Sequence, residues 1–184
     1  MSCGALILAA GASKRLGLPK QVARLNGETL LDRTIRVAAE AGCAPVVVVL
    51  GAFEDLIREQ CKLQDVSIVS NPAWAEGMGT SLSQGVRTFD DATGIFVMTC
   101  DMPAVTANHL RALAASGAVT ASLYAGRKGV PAYFPSELFP GLLKIKGDVG
   151  AKEILQPAHG IELAGGEFDV DTPEDLAQAR SLFD

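Results

Sequence analysis

The chain has 184 residues, of which 48% are hydrophobic and 20% charged, with 16 Lys and Arg against 21 Asp and Glu for a net charge of -5. This length and apolar content predict one globular domain over 1–184 and exclude disordered, collagen-like and low-complexity classes. The acidic balance argues against a nucleic-acid binder that works through a broad basic face.

The predicted elements alternate. An apolar run over Gly4 to Ala9 reads as a buried first strand, and a long glycine-containing loop follows it. After the Asn26-Gly27 turn, LLDRTIRVAAEAG places Leu30, Leu31, Ile35 and Ala38 on one helical face and stops at Gly42. PVVVVL is a strand buried on both faces, FEDLIREQC a helix, VSIVS a strand, GTSLSQGVRTF a helix, GIFVMTC a strand and ANHLRALAAS a helix. Strands alternating with helices of about ten residues predict right-handed crossovers and a mostly parallel sheet. TASLYA and VPAYF, separated by GRKG, read as paired strands, and TPEDLAQARSLF as a helix with Thr172 as cap and Pro173 in its first turn.

Residues 1–27 hold Lys14, Arg15, Lys20 and Arg24 without an acid, so this stretch is +4 and the remainder -9. A small anion is the expected partner there. The positive charges follow the opening apolar run, whereas a secretory leader carries them before it. No apolar stretch reaches the ~18 residues that cross a bilayer, so a cytoplasmic location without a membrane partner is expected. Cys3, Cys43, Cys61 and Cys100 form no CxxC pair and read as buried thiols. His109 and His159 fit neither a zinc spacing nor a nucleophilic triad; they read as a solvent-facing helix residue and a loop residue.

In an open parallel sheet, ligands gather at the carboxyl ends of the strands. LAAGASKRLGLPK, residues 8–20, follows the first strand there. Gly11 and Gly17 allow close backbone approach to an anion, and Arg15 and Lys20 add charge-assisted hydrogen bonds. The loop matches neither GxxxxGK[ST] nor GxGxxG, which disfavours a P-loop NTPase or a nicotinamide dehydrogenase. Asp101 ends the strand FVMTC, a placement that suits either Mg²⁺, which needs one or two carboxylates beside substrate phosphates, or a turn cap. Asp169 and Asp171 alternate at the end of the last strand and share a face. Asp171 is either a second metal ligand or part of the cap of the final helix, where Asp175 follows Thr172 by three residues. Gly77 and Gly79 open a helix whose Thr80 and Ser81 suit a phosphate, ribose or base, and Trp74 is a packing or stacking residue. Lys144, Lys146 and Lys152 flank Asp148, as a receptor for a second phosphate or a solvated face.

The motifs LAAGASKRLGLPK, NPAWAEGMGTSL, TCDMP, GRKGVPAYF, GDVGAK and DVDTPEDL, in this order, resemble the MobA-like nucleotidyltransferases, with the molybdenum cofactor cytidylyltransferases the nearest pattern. The resemblance implies a three-layer α/β/α sandwich, Rossmann-like, with the mostly parallel sheet of nucleotide-diphospho-sugar transferases. It also implies Mg²⁺ (or Mn²⁺)-dependent transfer of CMP from CTP to the terminal phosphate of molybdopterin, with release of pyrophosphate. On that analogy Leu8, Ala9, Ala10, Gly11, Ser13, Arg15, Lys20, Gly77, Thr80 and Ser81 bind nucleotide, and Arg15, Lys20 and Asp101 are catalytic. Asp101 and Asp171 hold the metal, and Asp148 and Lys152 meet the acceptor. Ala10 in Leu8-Ala9-Ala10-Gly11, where guanylyltransferases carry glycine, resembles the CTP users over GTP users; a molybdoenzyme or its chaperone is the implied recipient. Val130 stands where the family often has His, and Lys152 where it has Arg. Those departures leave open another phosphorylated acceptor, such as a sugar or polyol phosphate, and a non-catalytic nucleotide-binding module is the alternative from outside the enzymes.

Overall fold

A computed structural model describes residues 3–147 and 151–183. Its elements in chain order are β1 (Cys3–Leu8), β2 (Arg24–Leu25), β3 (Glu28–Thr29), α1 (Leu30–Glu40), β4 (Val46–Leu50), α2 (Glu54–Gln60), β5 (Ser67–Ser70) and α3 (Met78–Val86). They continue as β6 (Gly94–Thr99), α4 (Ala107–Ala114), β7 (Thr120–Tyr124), β8 (Arg127–Pro135), α5 (Phe139–Leu142), α6 (Lys152–Leu155), β9 (His159–Glu162) and α7 (Pro173–Phe183). Short 3-10 turns at Lys20–Val22 and Trp74–Glu76 introduce two of the functional segments.

Seven strands form one sheet in the order β5-β4-β1-β6-β8-β7-β9. β1 pairs parallel with β4 and β6, β4 with β5, and β7 with β9. Strand alternation sorts the apolar side chains into two layers. Ala5, Ile7, Val48, Leu50, Phe96 and Met98 pack toward Leu31, Val37, Ile57, Leu110 and Leu113 of α1, α2 and α4. Leu6, Leu8, Val47, Val49, Ile95 and Val97 pack toward Leu82 and Val86 of α3 and toward Leu142 and Leu155. Each such buried side chain contributes about 1.5–3 kcal/mol relative to exposure. The result is the expected α/β/α sandwich. A third cluster, with Leu16, Leu25, Leu30, Val170, Leu176 and Ala179, seats α7 against the β2–β3 hairpin and the loop after β1.

The main topological finding is β8, which runs antiparallel to both β6 and β7. The turn is Ala125-Gly126, with φ of 48° and 72°. Positive φ at both central residues matches the twist of a two-residue hairpin, and a hairpin dictates antiparallel pairing. The GRKG segment, read from sequence as the separator, therefore contributes Arg127, Lys128 and Gly129 to β8 itself.

Other expectations need correction. Asp169 and Asp171 do not end a strand: the last strand is β9, and residues 168–171 form an extended connection held by one ladder-like bond, Val170 N to Asp101 O at 2.9 Å. His159 lies in β9, not in a loop. His109 is buried rather than solvent-facing, because Ser122 on the neighbouring strand offers its ring a partner: Nε2 stands 2.8 Å from Ser122 Oγ, which in turn donates to Pro131 O at 2.6 Å. Burial pushes the His109 pKa down, so the ring is neutral and donates through Nε2. Cys43, Cys61 and Cys100 are buried thiols, whereas Cys3 is only half-buried. Among the described residues no helix is long and apolar enough to cross a membrane.

Candidate active site

β1 and β6 are adjacent, and the segments leaving their carboxyl ends meet in a cavity of about 450 Å³. Its walls are residues 8–15 with Lys20 and Gln21, then Trp74, Ala75, Gly77, Met78 and Ser81, then residues 99–101, with Asp171 at the rim. The loop is held in place by its own backbone. Ala9 N donates to Val49 O at 2.9 Å and Ala52 N to Ala10 O at 3.0 Å, so the turn after β1 is tied to β4. Ser13, at a left-handed φ of 49°, accepts from Lys20 N through Oγ at 3.0 Å and closes the loop.

Lys20 is the centre of the charge arrangement. Its Nζ lies 2.7 Å from Asp101 Oδ2 and 2.6 Å from Asp171 Oδ1. The two acids, separated by 70 positions in the chain, therefore share one nitrogen. Burial works to lower the Lys20 pKa, but the charges and hydrogen bonds of Asp101 and Asp171 together raise it well above the ordinary lysine value. Arg15 donates to the other oxygen of Asp171 at 2.5 Å from a largely exposed position. Lys14 also lines the cavity and has no ion-pair partner among the described residues.

Asp171 is released from capping duty. Thr172 Oγ1 accepts from Asp175 N at 3.2 Å while Asp175 Oδ2 accepts from Thr172 N at 2.8 Å, a reciprocal cap that leaves the Asp171 carboxylate to the site. Asp169 joins the same acidic group. Burial, reinforced by the charges of Asp101 and Asp171, pushes its pKa up to about 6. Asp101 and Asp171 could hold a divalent cation: their oxygen donors suit Mg²⁺ or Mn²⁺, and two carboxylates suffice where substrate phosphates complete the shell. Among the described residues no group of three or more His, Cys, Asp or Glu is clustered as a metal site.

Three further side chains were not legible as functional. Gln21 is 1% exposed, and its Nε2 donates to Ala9 O at 2.7 Å and Gly11 O at 3.1 Å, clamping the loop from beneath. Its buried Oε1 has no partner among the described residues. An unsatisfied acceptor of this kind costs about 1–3 kcal/mol, so the clamp is maintained at the expense of stability. Asn71, also buried, donates to Thr80 Oγ1 and Ser81 Oγ at 2.9 Å each and sets the start of α3. The third is Asp169, whose sequence position was noted without a role. Only the Asp-x-Asp spacing signalled any of these.

Of the other expected site residues, Leu8, Ala9, Ala10, Gly11, Ser13, Gly77 and Ser81 line the cavity, and Trp74 both lines it and packs against Gly51. Thr80 does not: its hydroxyl turns back to Gly77 O and Ala73 O. Gly79 packs against the backbone of Gly147, so a side chain there would collide with Gly147 O at 2.8 Å. That contact brings the 145–147 loop beside α3. Lys152 is exposed on α6, outside the cavity wall, and Asp148 lies outside the described residues.

A sheet covered on both faces, with the loop after β1 facing Asp101 and Asp171, accords with the nucleotidyltransferase class that the family match gives. The family model described as "MobA-like NTP transferase domain" matches residues 5–163, and the chain belongs to that family. Its fold is shared with the solved 2-C-methyl-D-erythritol 4-phosphate cytidylyltransferase of Thermus thermophilus, TM-score 0.70 at 17% identity over 99% of this chain and 98% of that one. Curated relatives include nicotine blue oxidoreductase of Paenarthrobacter nicotinovorans, 30% identical over 97% of this chain and 93% of the relative, and purine catabolism protein PucB of Bacillus subtilis, 29% identical over 95% and 94%. The molybdenum cofactor cytidylyltransferase of Escherichia coli is 26% identical over 97% and 95%. Among solved structures, Rv0371c of Mycobacterium tuberculosis superposes with a TM-score of 0.86 at 27% identity over 98% of both chains. A second structure of that protein, TM-score 0.81 and 26% identity, is a complex with manganese and covers 98% of this chain and 99% of its own.

Proposed function

We propose that this chain transfers CMP from CTP to the terminal phosphate of a phosphorylated pterin, molybdopterin, in a Mg²⁺- or Mn²⁺-dependent reaction that releases pyrophosphate. The observation that carries this reading is the single Lys20 ammonium shared by Asp101 and Asp171 at the rim of a cavity walled by the glycine loop. Opposed charges held this close can exchange partners: the cation turns to a triphosphate while the acids take a divalent ion. An ion bound by Asp101 and Asp171 would supply charge neutralisation across the phosphates.

The chain's own residues supply the rest. Amides of residues 10–13 cradle the phosphates, and Gln21 holds that curve fixed. An oxygen of the acceptor phosphate forms a bond to the α-phosphorus of CTP as the bond to the β-phosphate oxygen breaks, and that oxygen leaves with the electron pair as part of pyrophosphate. Lys20, Arg15 and Lys14 neutralise the charge that grows on this leaving group. No nucleophilic side chain is required, because alignment and charge supply the acceleration. Ser81 and Gly77 face the nucleoside, and Ala10 is the candidate determinant for cytosine over guanine. The relative named molybdenum cofactor cytidylyltransferase supports both donor and acceptor, and the structure titled as a manganese complex supports the metal.

The test is pyrophosphate release from each nucleoside triphosphate with Mg²⁺ or Mn²⁺, against molybdopterin and a panel of sugar and polyol phosphates. CTP with molybdopterin is the expected pair. A different acceptor would keep the transferase and replace the pterin. The relative named as an oxidoreductase favours one second reading, in which the cavity serves a redox reaction instead of transfer. Oxidation of NADH or NADPH without any pyrophosphate would establish it in place of transfer.

A further inference from the structure

The β7–β8 hairpin turns at the sheet edge where Asp101 leaves β6, on the β8 side of that strand, whereas the nucleotide cavity is walled from the β1 side. β8 runs against β6 with Val97 opposite Ala132, so following β8 back to its start leads past the end of β6, where Cys100 and Asp101 leave the sheet. β9, parallel to β7 with Leu123 opposite Glu162, turns at residues 163–166 on that same edge. Tyr124 is wedged into this corner. A side chain at Gly166 would meet Tyr124 Cδ1 at 2.9 Å, and one at Gly129 would meet the Tyr124 hydroxyl, which donates to Val130 O at 3.2 Å.

Arg127 sits on this fixed ring, its guanidinium carbon 5.6 Å from the centroid. The hairpin's other cation is engaged elsewhere: Lys128 Nζ donates to Gln156 O at 2.8 Å, which moors the end of α6, and with it Lys152, beside the hairpin. Arg127 has no ion pair among the described residues. Its charge acts on Asp169, the carboxylate that also feels Asp101 and Asp171. None of Tyr124, Arg127 and Asp169 lines the nucleotide cavity.

We propose that Arg127, propped on Tyr124, is the anchor for the phosphate of the acceptor, holding it across Asp101 and Asp171 from the donor nucleotide. This rests on the transferase reading. A guanidinium grips two phosphate oxygens side by side, which leaves the third oxygen free to face the α-phosphorus. The ring beneath restricts Arg127 to a narrow set of poses, so less freedom is lost when the acceptor docks.

The experiment uses phenyl phosphate as probe and the full chain loaded with Mn²⁺ and a CTP analogue whose α,β-bridge cannot be cleaved. Affinities of both ligands are measured calorimetrically for the parent, Arg127→Ala and Arg127→Lys. Loss of a charge-assisted pair should weaken phenyl phosphate by about tenfold or more in Arg127→Ala, with partial recovery in Arg127→Lys, while the analogue binds within about twofold of the parent. Unchanged phenyl phosphate affinity in Arg127→Ala, or no binding to the parent, overturns the anchor and leaves the transferase reading standing. Equal weakening of both ligands also overturns it, because Arg127 would then belong to the nucleotide site or to the fold. Failure of the parent to bind the analogue removes the transferase reading and the anchor with it.

Discussion

The walls proposed for the donor and for the acceptor are built in opposite ways. On the donor side three side chains are tightly engaged: Lys20 bridges two acids, Gln21 grips two carbonyls, and Asn71 holds two hydroxyls. On the acceptor side Arg127 and Lys152 are exposed, on a hairpin and a single-turn helix. The curve of the loop after β1 is set before any ligand arrives, by Gln21 and by the Ala9 and Ala52 amides, so only the Lys20 ion pairs have to rearrange. An open, lightly tethered wall can be altered without disturbing that cradle. On the proposed reading, the chemistry belongs to the wall built from the loop after β1 with Lys20, Asp101 and Asp171, and acceptor choice to the β7–β8 hairpin beside it.

The strongest way to break this division is at Asp101. Asp101→Asn keeps the shape and a hydrogen-bond acceptor but removes the charge, and pyrophosphate release should fall by about 10²–10³-fold with the melting profile preserved. Normal turnover would remove Asp101 from the chemistry. Next comes Lys20→Met, which leaves Asp101 without its cation and Asp171 with only the exposed Arg15. It should reduce turnover by about 10²-fold and cost about 1–2 kcal/mol, tempered by the partial exposure of the group. Mn²⁺ should then raise the melting temperature of Lys20→Met more than that of the parent, since it replaces the missing cation. Equal shifts would mean that the acids and the metal are unrelated.

Gln21→Leu sharpens the comparison from within the donor side. Without the clamp the loop loses its preset curve, so the KM for the nucleotide should rise by about tenfold while kcat stays within about twofold. A loss of stability with unchanged KM would reduce Gln21 to a packing residue. The smallest effect belongs to the acceptor side. Ala125 holds a left-handed φ of 48°, and Ala125→Gly should stabilise the fold by about 0.5–1 kcal/mol, or about 1–4 °C in Tm, without changing nucleotide affinity. A destabilised variant would show that the methyl group packs in a way its backbone angle does not suggest.

Much of this was legible in the chain because it is local. The buried strand before residues 8–20, the carboxylate at the end of FVMTC and the Thr172–Asp175 cap are each written within a dozen residues. What was not legible depends on distant segments meeting. The alternation in VPAYF announces a strand but not its direction, which the Ala125-Gly126 turn decides. His109 reads as a helix-surface residue until Ser122 is placed beside it. Lys20 was expected to hold phosphate; its pairing with Asp101 and Asp171 becomes visible only when three separate segments converge. Gln21 sits in KQVARL with no periodic cue, and Asp169 and Asp171 were assigned to a strand because FDVD alternates like one. The Asp148 expectation lies outside the described residues.

One consequence of the reversed strand β8 reaches beyond this molecule. Because it enters the sheet from the reacting edge, its tip is a loop whose length and lettering can change while the core register stays put. Swapping the few residues around Ala125 between members of this family would be an economical route to redirecting an enzyme toward a new recipient, much as one changes the bit of a drill and keeps the motor.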